Sequence, residues 1–192
     1  MRLTDDEAAR RLDEARVLRL ATVDQDGAPH QVPATFVRYA GPRGDRIAIA
    51  VDHKPKRHRN LRRLRNIEAE PRVCALVDAY SDDWTRLWWV RADGTARVLY
   101  GEGGREGEDG QGSPDGPDRE DGQDIPDGPD GGPGSGRREG RGSDASEQVE
   151  RRAVWDLLAA KYPQYAERRP DGPVIVIDVG KLTGWAYADP VA

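Results

Sequence analysis

Residues 47–67 read IAIAVDHKPKRHRNLRRLRNI, which is an apolar run, a basic loop and the start of a helix. The apolar run at residues 47–51 predicts a short buried strand, and the spacing of three from Leu61 to Ile67 predicts one apolar face of a helix. Seven Lys/Arg and two His lie between residues 53 and 65, with no acidic residue among them. A basic loop between a strand and a helix N-terminus is typical of a phosphate site. A solvated basic helix face and a basic arm for nucleic acid are the two alternatives.

The segments around this stretch predict one mainly β domain. Residues 4–7, TDDE, form a capping box in which Thr4 caps a helix and Glu7 reaches back. Short turns at residues 24–27 and 41–45 join the first three strands, which predicts an antiparallel meander. Six strands and few helices indicate a small antiparallel β-barrel, closed or split, with flanking helices. The predicted strands are residues 17–23, 31–39, 47–51, 72–77, 87–99 and 174–179.

Two later segments carry specific expectations. Gly94, inside the long strand, predicts a β-bulge where another backbone or a ligand comes close. The last helix is predicted at residues 149–162, where Trp155 has the position of a core anchor. The side chains expected to face inward from this helix are Val154, Leu157, Leu158 and Tyr162.

A Gly/Asp/Pro-rich insertion occupies about residues 101–147 of the single domain spanning 1–192. It holds 14 Asp/Glu against 5 Arg and 15 of the 22 glycines, and its only hydrophobic residues are Ile125 and Ala145. The rest of the chain holds 25 basic and 21 acidic residues. The insertion cannot bury enough apolar surface to offset its chain entropy, so we expect it to be disordered. A minor alternative is that it folds back on the basic loop as an anionic competitor.

The composition excludes several classes of protein. Cys74 is the single cysteine and lies in an apolar run, so no disulfide framework exists and the residue is expected in the core, as fits a reducing cytoplasm. The N-terminus has no apolar core of a signal peptide, and no window approaches the ~18 apolar residues of a membrane span. The sequence has no P-loop, GxSxG, CxxC or HExxH motif, and its three histidines lack metal-pair spacing, so we expect no metal.

Six sequence blocks together resemble the flavin/deazaflavin oxidoreductases. These are split β-barrels of the pyridoxamine 5'-phosphate oxidase kind, an FMN-binding-like fold, and the closest similarity is to the class that uses the deazaflavin coenzyme F420. The resemblance covers nearly the whole chain except residues 101–147. The blocks are ATVDQDGAPHQVPATF (21–36), AVDHKPKR (50–57), LRRLRNIEAEPRV (61–73), DWTRLWWVRADGTARVL (83–99), KYPQY (161–165) and GPVIVIDV (172–179).

The resemblance implies a homodimer with the cofactor in a groove between the two subunits. The basic loop would hold the phosphate, the backbone around Thr35 and Val51 would face the tricyclic ring, and Tyr80 and Trp88 would close the groove, from the same subunit or its partner. No catalytic residue is implied, because hydride transfer needs mainly a cofactor ring held against the substrate in a dry pocket. The implied cofactor-binding residues are Pro33, Thr35, Val51, His53, Lys54, Lys56, Arg57, Asn60, Tyr80 and Trp88.

The predicted function is therefore that of an F420-dependent oxidoreductase acting on a small organic substrate. FMN is the alternative cofactor, since both molecules carry a ring, a ribityl chain and a phosphate. A module that binds a cofactor without turnover is the second class. Nucleic acid is disfavoured as a partner, because the basic residues are not interleaved with stacking aromatic side chains.

Overall fold

The structure, a computed structural model, describes residues 1–42, 44–51, 61–101, 143–169 and 172–188. Within these ranges the chain forms seven strands and four α-helices, together with one 3₁₀ turn at Trp84–Arg86. None of these helices is both long enough and apolar enough to cross a membrane. The elements are α1 (Asp5–Glu14), β1 (Leu18–Val23), β2 (Pro29–Ala34), β3 (Phe36–Gly41), β4 (Gly44–Ala50), α2 (Arg62–Ala69), β5 (Arg72–Ala79), β6 (Trp88–Leu99), α3 (Ser143–Lys161), α4 (Pro163–Glu167) and β7 (Val174–Ala186).

All seven strands belong to one antiparallel sheet in the order β2-β1-β5-β6-β7-β4-β3. The two edge strands, β2 and β3, are consecutive in the chain and are separated only by Thr35. Because a single residue joins opposite edges, the sheet must roll until those edges meet. The result is an antiparallel split β-barrel with flanking helices, which confirms the predicted fold class.

The predicted strand at residues 31–39 is wrong as one element, and so is the three-stranded meander. Ala34 is the last residue of β2 to pair with β1, opposite Leu18, whereas Phe36 begins the pairing of β3 with β4, opposite Ile49. Strand pairing therefore changes at Thr35, and six predicted strands become seven. Pro33, which cannot donate a backbone hydrogen bond, is the local sign that this segment lies at a sheet edge, but no turn residue marks where one ladder ends and the next begins.

The first helix and hairpin form largely as predicted. Thr4 Oγ1 accepts a hydrogen bond of 3.2 Å from the Glu7 N–H at the start of α1. The Glu7 carboxylate does not complete the capping box, because it accepts hydrogen bonds from the guanidinium groups of Arg10 and Arg11. At the β1–β2 turn, Gly27 has a φ of +83°, which favours glycine there. The Asp24 carboxylate accepts the N–H of Ala28 at 2.8 Å and closes the turn.

The last helix differs from its prediction at both ends. It begins at Ser143, within the final residues of the predicted insertion, and a separate short helix, α4, follows Tyr162. Leu157 was expected to face inward but is 38% exposed, whereas Trp155 is buried as expected. The helix packs on the outside of the barrel, where Trp155 and Leu158 belong to a second apolar cluster with Leu99 and Val176. The first cluster fills the barrel interior between the strands, α1 and α2.

The predicted bulge in β6 is confirmed. The register between β6 and β7 shifts between Asp93 and Gly94. A Cβ atom at Gly94 would lie closer than 3.0 Å to the carbonyl oxygen of Asp178 and 2.9 Å from Ile177 Cγ2. This close approach of two backbones explains why glycine is required at this position.

The insertion leaves and rejoins the barrel at neighbouring points. The Gln148 side-chain amide donates a hydrogen bond of 3.0 Å to the carbonyl oxygen of Tyr100. Glu150, two residues later, accepts hydrogen bonds from Arg46 and Arg97 at 2.6 Å each, which anchors α3 to β4 and β6. The residues of the insertion between 102 and 142 lie outside the described residues, so their disorder stays a prediction.

Replacing residues 102–141 by a four-residue Gly/Ser linker should leave the fold intact. Tyr100 and Gln148, on either side of the insertion, are already joined by a hydrogen bond. Closing a tenfold shorter loop costs about 2 kcal/mol less conformational entropy, so the shortened protein should need slightly more urea to unfold. Urea unfolding followed by circular dichroism measures this difference. A shortened protein that fails to fold would show that the insertion contributes packing that its composition does not suggest.

Candidate functional site

The junction between β2 and β3 is held by two tyrosines. The hydroxyl groups of Thr35 and Tyr165 lie 2.7 Å apart. The Phe36 N–H donates to the Tyr162 hydroxyl at 3.0 Å, and the same hydroxyl lies 2.8 Å from the Phe36 carbonyl oxygen and 2.9 Å from that of Arg16. These contacts fix the chain at the point where it leaves one ladder and enters another.

The end of β4 lies close to this junction. Phe36 pairs with Ile49, two residues before Val51, so Thr35 and Val51 are at the same end of the barrel. The Val51 side chain is fully buried, and its N–H donates to the Pro173 carbonyl oxygen at 3.2 Å. The structure therefore brings together two of the predicted ring-facing residues.

At Gly172, two backbone segments approach closely at this end of the barrel. A Cβ atom there would lie closer than 3.0 Å to the Val51 carbonyl oxygen. The segment before β7 therefore lies directly against the Val51 carbonyl group, which precedes the basic loop. The segment at Gly172 and Pro173 therefore lies against both backbone polar groups of Val51.

The basic loop leaves the barrel at Val51 and returns at the start of α2. Arg62 donates to the Asp24 carboxylate at 2.9 Å, which ties the first turn of α2 to the β1–β2 hairpin. Leu61, at the N-cap of α2, makes no side-chain cap hydrogen bond, so the first N–H groups of the helix could receive an anion. The loop residues His53, Lys54, Lys56, Arg57 and Asn60 lie outside the described residues, and their roles stay predictions.

The remaining predicted contacts lie elsewhere on the chain. Pro33 is exposed on the edge strand β2, two residues before Thr35. Trp88 is half-buried beneath α1, where the Arg11 guanidinium lies 5.0 Å from the centre of its ring. Tyr80, just after β5, is 74% exposed. The predicted roles of Pro33 at the cofactor ring and of Tyr80 and Trp88 in closing a groove therefore stay predictions.

Tyr162, Tyr165, Gly172 and Pro173 were not predicted as site residues. Tyr162 was expected only to face inward, and the other three entered only as members of the KYPQY and GPVIVIDV blocks. A usable signal was present, because a buried tyrosine hydroxyl usually needs a hydrogen-bond partner, and two tyrosines three residues apart each require one. The identity of those partners depends on tertiary contacts and could not be read from the spacing.

A half-buried cation lies against the same junction. Lys161 Nζ is 4.1 Å from the centre of the Phe36 ring, and the Arg16 guanidinium is 4.6 Å from the Tyr162 ring centre. Burial lowers the pKa of Lys161 to about 8, an effect that Asp13 opposes and Arg16 reinforces. The β2–β3 junction therefore carries a partly desolvated positive charge against its aromatic rings.

Replacing Lys161 by methionine should change how stability depends on pH. The folded pKa of Lys161, about 8, lies below its usual 10.5, so the folded protein binds fewer protons and stability rises between those pH values. Lys161→Met should remove that rise and stabilise the protein at pH 7 by about 1 kcal/mol, since solvent screens the half-exposed ammonium. Urea unfolding of both proteins at pH 7 and pH 10 checks this. If the free energy of unfolding changed by the same amount between pH 7 and pH 10 in both proteins, the prediction would be wrong.

Two open clefts lie at the other end of the sheet, each with a volume of about 550 Å³. One is lined by the β1–β2 turn with Glu70 and Arg72, and the other by Cys74, Asp93 and Lys181. Burial, reinforced by Asp93, raises the pKa of the Cys74 thiol, which disfavours a nucleophilic thiolate. Within the described part of the chain, no group of three His, Cys, Asp or Glu side chains is arranged to hold a metal ion.

The rolled antiparallel sheet, closed through Thr35 and followed by a basic loop, defines the class of split β-barrel proteins. The pyridoxamine 5'-phosphate oxidase family model matches residues 4–116, more than half of the chain, and the protein belongs to this family. A search of curated proteins finds no match.

Several solved structures share the fold. A FAD-binding protein from Mesorhizobium loti is 17% identical, with a TM-score of 0.54 and coverage of 96% of this chain and 95% of that chain. A conserved protein of unknown function from Corynebacterium diphtheriae is 16% identical, with a TM-score of 0.54 and coverage of 97% and 96%. The heme storage protein HutZ from Vibrio cholerae is 16% identical, with a TM-score of 0.50 and coverage of 97% and 95%. At these identities the similarity shows the fold alone.

Proposed function

We propose that this protein is an oxidoreductase that binds the deazaflavin coenzyme F420 and transfers hydride to or from a small organic molecule. The observation that carries the proposal is the position of Thr35 and Val51 at the same end of the barrel, where the segment with seven Lys/Arg and two His between residues 53 and 65 begins. Membership of an oxidase family supports a redox role, and the FAD-binding protein of the same fold supports a flavin-like ligand.

Each part of the site has a distinct task in this proposal. Lys54, Lys56 and their basic neighbours bind the phosphate, since charge-assisted bonds to phosphate are among the strongest polar contacts. Thr35 presents a hydroxyl to the ring, and the buried residues behind it exclude water from that side. When bound, the cofactor supplies the hydride chemistry, and the protein needs only to hold the ring and substrate in register.

The excess of basic over acidic residues outside the insertion favours the deazaflavin over FMN. The carboxylates of a polyglutamate tail would add to the charge of the phosphate and interact with this basic surface. FMN remains the alternative, because it offers the same ring and phosphate groups. A non-catalytic ligand carrier is the other alternative, and the fold is compatible with it, since HutZ is described as a heme storage protein.

Activity is tested by following the reduction or oxidation of the bound cofactor by absorbance. Purified protein is mixed with the reduced deazaflavin and a panel of acceptors, which includes quinones, unsaturated carbonyl compounds and porphyrin-derived pigments. Catalysed oxidation by at least one acceptor supports the oxidoreductase, whereas tight binding without turnover for every acceptor supports a carrier.

The proposal includes a second copy of the chain as partner. Like Tyr80, Trp84 and Tyr187 are exposed, by 64% and 50%. Their rings meet edge to face, with 6.4 Å between the ring centroids. Exposed aromatic side chains grouped in this way are typical of protein interfaces. This aromatic cluster would pack against the partner beside the cofactor groove.

Replacing Trp84 by glutamate should weaken the dimer while leaving each barrel folded, because the side chain is mostly exposed and lies outside both core clusters. Loss of an aromatic anchor at an interface costs about 2 kcal/mol or more, which is at least a thirtyfold rise in the dimer dissociation constant. Sedimentation velocity over a range of concentrations measures this change, with Val149→Glu on exposed α3 as the control. Equal dissociation constants for the two variants would place the interface elsewhere.

A further inference from the structure

The two ladders hold the neighbours of Thr35, whereas its hydroxyl is oriented by another side chain. Neither ladder includes it, because β2 pairing ends at Ala34 and β3 pairing begins at Phe36. Its side chain is half-buried, and its hydroxyl lies 2.7 Å from the Tyr165 hydroxyl. Among the described residues, this is the hydrogen bond that determines where the Thr35 hydroxyl points.

Tyr165 is itself held firmly in place. It is 7% exposed, and its ring meets two other aromatic rings edge to face: Trp155 at 5.8 Å and Tyr162 at 5.7 Å between centroids. Edge-to-face pairs of this kind restrict the ring and therefore the direction of its hydroxyl. The two tyrosines flank Pro163, the first residue of α4, so a rigid turn carries them both.

The chemistry of the two hydroxyl groups gives this hydrogen bond a direction. A phenol is a stronger donor than an aliphatic hydroxyl, as its lower pKa shows, and this chemistry favours Tyr165 as the donor and Thr35 as the acceptor. Thr35 then keeps its own proton to donate to a further acceptor. Donation from Tyr165 polarises that O–H group and strengthens its next hydrogen bond.

We propose that Tyr165 is a positioning residue for the bound cofactor, which orients the Thr35 hydroxyl to donate to a carbonyl oxygen or nitrogen acceptor on the ring. This inference rests on the proposed function and deepens it. A donor aimed at the ring stabilises the reduced cofactor, on which negative charge accumulates, more than the oxidised one. The Tyr165 hydroxyl therefore raises the reduction potential of the cofactor as well as its affinity.

The test compares Tyr165→Phe with Tyr39→Phe. Tyr39 donates a hydrogen bond of the same length, 2.7 Å, to Glu150 and lies on β3 away from the junction, so it controls for loss of a tyrosine hydroxyl. Tyr165→Phe should raise the dissociation constant for the deazaflavin about fivefold to tenfold and lower the potential of the bound cofactor. Tyr39→Phe should leave the dissociation constant within twofold of that of the unaltered protein and the potential of the bound cofactor unchanged.

A double-mutant cycle with Thr35→Val isolates the coupling. If Tyr165 acts through Thr35, the double variant should bind the deazaflavin no more weakly than Thr35→Val alone, and Thr35→Ser should retain most of the affinity. Additive losses, or a Tyr165→Phe variant that is less stable but has unchanged affinity and potential, would overturn the inference while leaving the proposed function standing. No binding of deazaflavin or FMN by the unaltered protein would overturn both.

Discussion

Replacing Gly94 by alanine should lower the free energy of unfolding by about 2–3 kcal/mol, the cost of forcing an extra carbon into a packed site. The new Cβ atom would meet the Asp178 carbonyl oxygen at the bulge between β6 and β7. Gly180→Ala is the matched control, because the nearest atom to its Cβ would be the Asp93 carbonyl oxygen, at an ordinary 3.6 Å. Urea unfolding of the two variants measures the difference.

The backbone at Asp178 cannot easily move aside. Its carboxylate accepts hydrogen bonds from Arg46 Nε at 2.5 Å and Arg97 Nη1 at 2.8 Å, and its neighbour Ile177 is fully buried. A shift that relieved the clash would disturb both the ion pairs and the core. Equal unfolding midpoints for Gly94→Ala and Gly180→Ala would show that the bulge is more pliable than its contacts indicate.

Replacing both Lys54 and Lys56 by alanine should have the largest effect on cofactor binding. Each charge-assisted bond to a phosphate contributes about 1.5–3 kcal/mol, so the double variant should bind at least a hundredfold more weakly. The loss should be greatest at low salt, where exposed charges act over the longest range. Lys181→Ala, an exposed lysine on β7, is the control and should bind normally. Unchanged affinity in the double variant would move the phosphate to other cations, such as Arg57 or Arg59.

Local features of this fold could be predicted from the sequence because their causes are local. Thr4 caps α1 through a backbone N–H three residues away, and Gly27 occupies a turn conformation that other residues avoid. Leu64 and Ile67 are buried on one face of α2, as their spacing indicates. Gly94 marks a bulge because only glycine allows the two backbones to approach so closely.

Features that depend on distant contacts could not be predicted in the same way. The break at Thr35 arises because β2 and β3 pair with different partners, β1 and β4, on opposite edges of the sheet. The residues on either side of Thr35 include no turn signal, so the sequence does not show that the ladder changes there. The exposed Leu157 shows a similar limit, because the face of α3 that packs is set by the barrel surface beneath it.

The candidate site was predicted in part. Thr35 and Val51 were identified through resemblance, and the structure places them at the same end of the barrel, while their role at a cofactor stays a prediction. The tyrosines that hold the junction were missed. A tyrosine at helical spacing is equally typical of any core, so the sequence alone gave it no role at the site. The hydrogen bond that orients the Thr35 hydroxyl joins residues 130 positions apart and forms only when the β2–β3 junction meets α4.

The account is tested most directly by titrating the purified protein with the deazaflavin and, separately, with FMN while following tryptophan fluorescence. The chain has five tryptophans, so a ligand with a tricyclic ring that binds in the groove should quench part of the emission. We expect saturable quenching by both ligands, with the deazaflavin bound more tightly. Tight binding of FMN without a response to the deazaflavin would contradict the cofactor assignment, and no saturable response to either ligand would contradict the proposed function.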